Sequence, residues 1–161
     1  MWRGPGRNFH SLLLAALACA LVAMAPSGVA YAQTAAELQA RLKTQTGIER
    51  GRTLAALTDA LRQDKPREAL AYGQEALALF ATQPDSASEV RTLDEMAWAF
   101  MTLSDYPNAV SHAERGRALA EKTGDARGRA RAINNLGVIA QRRGDALKAV
   151  DFFTESLKIY R

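Results

Sequence analysis

The sequence predicts an all-α protein built of stacked helix pairs, and three observations carry that prediction. Alanine and leucine dominate with no β-branched runs, and both lose little rotamer freedom in a helix. Apolar residues recur at helical spacing, with Gly, Pro and Asp between the stretches. Above all, one pattern returns every forty residues: DKPREAL at 64–70, SDYPNAV at 104–110 and GDALKAV at 144–150. The register holds across the unit. Ala69, Ala109 and Ala149 align, as do Ala76, Gly116 and Ser156, then Leu79, Leu119 and Ile159. Upstream, Ala56, Met96 and Leu136 align, followed by Leu57, Ala97 and Gly137.

Residues 1–32 carry a separate pattern. Arg3 and Arg7 precede the apolar run SLLLAALACALVAMA at 11–25, then Pro26-Ser27-Gly28, then Ala30-Tyr31-Ala32. A positive start, a short apolar centre and an A-x-A site predict a secretory signal peptide cleaved after Ala32. The competing reading is an uncleaved membrane anchor, for which the run falls short of the ~20 residues a bilayer requires. The arginines are not paired as a twin-arginine signal needs, and Ala16-Leu17-Ala18 before Cys19 only loosely matches a lipoprotein box. Cleavage removes the only cysteine, leaving no disulfide, thiolate metal site or thiol nucleophile. A periplasmic or secreted location follows. The formal charge of +4 falls to about +2 without the two arginines, too small to imply a nucleic-acid partner. No stable membrane insertion is expected after cleavage.

Residues 33–49 read as a lead-in helix. Thr34-Ala35-Ala36-Glu37 fits a capping box, Ala36, Leu38 and Leu42 follow, and Thr44-Gln45-Thr46-Gly47 breaks it. The segment either caps the first pair or is a disordered tether. Three units follow, at 50–89, 90–129 and 130–161. In the third, Ile133, Leu136, Gly137 and Ala140 mark one helix face, and Arg142-Arg143 places charge in the last turn. Gly144 suits a left-handed terminus and Asp145 caps the next helix, which carries Ala149, Phe152, Phe153, Ser156 and Ile159. The second unit repeats this with Leu93, Met96, Ala97 and Phe100, a break at Leu103-Ser104-Asp105, then Tyr106, Ala109, Val110 and Ala113. Gln83-Pro84-Asp85 and Lys122-Thr123-Gly124-Asp125 separate the units. The alanines at 109 and 149 are expected where two helices cross closely, with Phe100 and Leu136 beside them. One pair cannot bury both of its apolar faces, so pairs must stack.

The run Ala132-Ile133-Asn134-Asn135-Leu136-Gly137, with Gly144-Asp145, Ala149 and Ser156-Leu157-Lys158-Ile159, resembles a tetratricopeptide repeat of the roughly forty-residue variety. The second unit keeps Asp105-Tyr106 and Ala109 but has Met96-Ala97 for Leu-Gly, and the first has Ala56-Leu57 there and Pro66 for an aromatic. The resemblance implies a right-handed α-α superhelix whose first helices line a concave, ligand-accepting face. It also implies a scaffold for a protein or peptide partner. Some members grip a C-terminal carboxylate with lysines and asparagines, but Leu54 and Asp94 stand where such groups are wanted, so that specificity is not carried over.

No P-loop, dinucleotide fingerprint or H-E-x-x-H pattern is present, and Gly124-Asp125-Ala126-Arg127-Gly128 lacks the Lys-Ser/Thr ending of a phosphate loop. His112 has no carboxylate placed to orient it, and Asp94 and Glu95 diverge by about 100° on a helix. No catalytic residue, cofactor or metal is therefore expected. The candidate groove residues lie opposite the packing stripe of the first helices: Arg91, Asp94, Glu95, Trp98 and Met101, then Arg131, Asn134, Asn135, Val138 and Arg142. Trp98 is either a recognition hot spot or a packing residue between units, and the asparagines either groove donors or backbone clamps. Phe152, Phe153, Leu157 and Tyr160 leave an apolar surface on the last helix. It predicts a partner, self-association or further sequence. A signal peptide with such repeats also resembles the extracytoplasmic sensor region of bacterial signalling proteins that carry a diguanylate cyclase or histidine kinase domain.

Overall fold

A computed structural model describes residues 34–160, so the signal-peptide prediction for residues 1–32 lies outside the described residues. The described residues form seven helices and no strand. A lead-in helix, α1 (Ala35–Leu42), is followed by three pairs: α2 (Gly47–Leu61) with α3 (Pro66–Thr82), α4 (Ser86–Thr102) with α5 (Tyr106–Thr123), and α6 (Ala126–Arg142) with α7 (Ala146–Ile159). The boundaries expected at 50, 90 and 130 fall three or four residues inside α2, α4 and α6, whose caps at Thr46, Asp85 and Asp125 lie upstream. None of these helices is long and apolar enough to cross a membrane.

Local chemistry sets where the helices start. The Thr34 hydroxyl accepts from the Glu37 amide at 3.3 Å while the Glu37 carboxylate accepts from the Thr34 amide at 2.9 Å, closing the capping box on α1. Pro66 opens α3, where its missing N–H is not needed. Asp85, Asp105, Asp125 and Asp145 then cap α4 to α7, each accepting from the amide three residues on at 2.8–3.3 Å. Three of the turns share one geometry. Asp105, Asp125 and Asp145 each donate a backbone N–H back to a carbonyl five residues earlier, at 2.9 Å. The residue before each is left-handed: Ser104, Gly124 and Gly144 at φ 62°, 73° and 82°. Glycine takes that conformation freely; Ser104 does so under strain.

Packing follows the small residues. Ala69, Ala109 and Ala149 are all buried at the crossings. At Gly137 an added Cβ would lie 2.6 Å from the Phe153 ring, so only glycine lets α7 lie this close to α6. Each pair packs along its length, and each second helix also meets the next first helix. The first helices touch one another, α2 with α4 and α4 with α6, whereas the backbones of α3, α5 and α7 stay apart. The array therefore bends with its first helices on the inner side. The result is an all-α helical solenoid of the tetratricopeptide kind. The lead-in helix packs on α2, with Leu38 buried against the cluster of Leu57, Leu61, Leu70 and Met96, and Gln39 bonded to the Tyr72 hydroxyl at 3.2 Å.

Candidate partner-binding groove

A groove of about 520 Å3 runs along the inner side, a size typical of ligand sites. Arg62 at the end of α2 forms one end of it. Asp94, Glu95 and Trp98 come from α4, Arg131, Asn134 and Asn135 from α6, and Phe153, Ser156 and Leu157 from α7, with Tyr160 at its C-cap. One wall is thus polar and charged while the other is mostly apolar.

Arg62 is held from several sides. Its guanidinium lies 3.1 Å from the Glu95 carboxylate, also pairs with Asp59, and donates to the Asp59 carbonyl at 2.8 Å. Its central carbon stands 5.8 Å from the centre of the Trp98 ring, within cation–π reach. The indole is thereby fixed in orientation, half-buried, with one part against the core beside Ala97 and the rest in the groove. Trp98 thus both packs on the core and lines the groove.

Asp94 is only 3% exposed, and neither carboxylate oxygen accepts a hydrogen bond from another described residue. Burial therefore pushes its carboxyl up to about 7, with Glu95 and Asp125 adding to the effect. Arg131, 3.5 Å away, favours the charged form but is itself half solvated and does not offset the lost hydration. Burial likewise raises Glu95 above the usual carboxylate range, against the pull of Arg62, Arg131 and Arg91. Asn135 donates to the Asp94 carbonyl at 3.4 Å, so it clamps α6 to α4 as well as lining the groove.

The expected candidates divide. Asp94, Glu95, Trp98, Arg131, Asn134 and Asn135 meet in the groove. Arg91, Val138 and Arg142 do not line it; Arg91 and Arg142 are exposed, and Val138 packs against the core. Met101 is a correction. It is 1% exposed and packs with Ala97, Ala109, Ala113, Leu136 and Ile139. Its assignment assumed that a first helix buries one stripe, but α4 packs on its own second helix, on α3, and on first helices at both sides. Asp94 is buried for the same reason. Arg62 and the α7 residues were not expected in the groove. A signal for Arg62 existed in the register, since it aligns with Arg142. His112 sits at the side of α5, its ring 4.8 Å from that of Phe100 and its Nδ1 2.9 Å from the Asn108 carbonyl, and burial lowers its pKa.

No curated protein matches the chain. Residues 84–161 match the family model described as Tetratricopeptide repeat, and this match, lying on the α4–α7 helices that build most of the groove, supports the tetratricopeptide-repeat family for the chain.

Proposed function

We propose that the chain is an exported interaction scaffold whose inner groove holds a segment of a protein partner. Repeats of this family generally mediate protein interactions, which supports the scaffold itself. The observation that carries the groove assignment is the Glu95–Arg62–Trp98 cluster, a fixed aromatic and cationic surface facing the apolar side chains of α7. Tryptophan and arginine carry a disproportionate share of binding energy at protein interfaces: the rigid indole buries a large area at low entropic cost, and the guanidinium adds charge-assisted hydrogen bonds. Export rests on the charge and apolar pattern of residues 1–32 and the Ala30-Tyr31-Ala32 site.

Capture from envelope extract by the immobilised full chain tests the groove, with Trp98→Ala and Arg131→Ala beside it. Partners recovered by the parent and reduced severalfold by both variants support the assignment; equal recovery contradicts it. Export is tested by N-terminal sequencing of the secreted fraction, which should begin at Gln33. A second reading makes the same repeats the input module of a bacterial signalling protein, favoured by the open apolar face of α7. An in-frame cyclase or kinase in the DNA after Arg161 would support it, and unrelated sequence would exclude it.

A further inference from the structure

Because the backbones of α3, α5 and α7 stand apart, neighbouring second helices leave a gap between them, floored by the first helix that packs on both. The two gaps are filled differently. Between α3 and α5 the ring of Phe100, on α4, takes up the space. It is half-buried, packs on the cluster that holds Leu70 and Met96, and meets the His112 ring of α5 at 4.8 Å. Between α5 and α7 the aligned residue is Ala140. Neither Ile139, aligned with Ala99, nor Phe152, aligned with His112, closes the space. A cavity of about 350 Å3 remains, with Val110, Leu136, Ile139, Ala140 and Phe152 around it.

This cavity shares no residue with the inner groove. It is also independent of whatever packs beyond α7. Position 153 is the one that meets a following first helix, since its counterpart Gly73 lies under Met96 of α4. Phe152 and Lys148 turn back toward α5 instead, as does Glu155, which pairs with Arg117 at 3.3 Å.

Shape and charge specify the ligand. The chain itself seats a phenyl ring at the equivalent place one unit earlier, and about 150 Å3 of apolar space is enough to hold benzene. Phe152 offers such a ring an aromatic neighbour, as His112 does for Phe100. The rim carries charge of both signs, most of it matched within the chain. Lys148 pairs with Asp145 at 2.9 Å, and Glu114 lies 3.8 Å from Arg117. Arg143 is different: it acts on Asp145 only through space, and its exposed guanidinium makes no ion pair or hydrogen bond among the described residues. Its counterpart in the preceding gap is Leu103, so this cation belongs to the gap that has lost its ring.

We propose that the gap between α5 and α7 binds a small aromatic carboxylate, its ring in the place that Phe100 fills one unit earlier and its carboxylate on Arg143. This adds a small-molecule site to the chain and stands whether or not the inner groove holds a protein.

Phenylpropionate is the probe, titrated into the full chain and followed by calorimetry and by the methyl signals of Val110, Leu136 and Ile139. It should bind with submillimolar affinity and shift those signals. Ala140→Phe, which restores the ring of the preceding unit, should abolish binding while thermal melting shows the chain folded. Arg143→Leu, again the preceding unit's residue, should weaken phenylpropionate by about threefold or more and leave binding of phenylpropanol unchanged. The parent chain should favour phenylpropionate over phenylethylamine. Absence of binding overturns the proposal, as do methyl shifts confined to other residues, equal affinity for the acid and the amine, or undiminished binding by folded Ala140→Phe. Should that variant not fold, the methyl shifts and Arg143→Leu, an exposed substitution, decide the matter by the same outcomes.

Discussion

The helices α3 and α7 occupy the same place in their pairs, yet Phe80 on one is 1% exposed and Tyr160 on the other mostly open. Nothing in the two helices themselves accounts for this. Each is amphipathic, each crosses its partner at a buried alanine, and each keeps its inward face on its own first helix. What differs is the neighbour: α4 covers α3, and no described helix covers α7. In a solenoid, burial is a property of adjacent units, so the same register position is core in one pair and, among the described residues, open surface in another.

The comparison is put at risk most strongly by substituting its two ends. Phe80→Ala should cost about 3–5 kcal/mol and Tyr160→Ala less than about 1 kcal/mol, read by urea denaturation of the two variants side by side. Similar losses at both sites would mean that α7 is covered.

The next contrast is between Asp94 and its aligned residue Asn134. The folded-state pKa of Asp94, about 7, lies above its ordinary value of 3.8, so the folded chain holds this proton more tightly than the unfolded one. Its contribution is full below pH about 4 and is lost as pH rises through about 7. Asp94→Asn should therefore be the more stable protein at pH 8, by a few kcal/mol at about 1.4 kcal/mol per pKa unit, with the difference vanishing near pH 4. Asn134→Asp, on the exposed face, should show no comparable loss. Denaturation at several pH values checks both.

Gly73 and Phe153 give a smaller contrast. Gly73→Leu forces a side chain into Met96 and should cost about 1–3 kcal/mol by overpacking, while Phe153→Leu only trims a half-buried ring over Gly137 and should cost less. Smallest is the pair of turns. Ser104→Gly relieves a left-handed serine and should gain about 0.5–1 kcal/mol, whereas Gly144→Ala should lose about as much, both read as shifts in the thermal midpoint.

Much of the fold was legible in the sequence because its determinants are local or periodic. The capping box at Thr34 stands where its local pattern puts it, and the cap at Asp145, the left-handed Gly144 and the crossing alanines stand where the forty-residue register puts them. Six groove residues were legible as well, since a first helix must turn one face inward. Met101 and the burial of Asp94 were not, because they depend on α6 lying against α4 and not on the pattern within α4. The apolar side chains of α7 were visible as an uncovered surface, but their place in the groove depends on how α7 crosses α6 over Gly137. Arg62 shows the same limit: its role appears only when a residue thirty-three positions later, Glu95, is brought beside it.

Amide hydrogen exchange of the full chain tests most directly the claim that burial along the array is set by the adjacent unit. The amides of α7 should exchange faster than those of α3 and α5, which a following helix covers. Equal exchange in α3, α5 and α7 would contradict it.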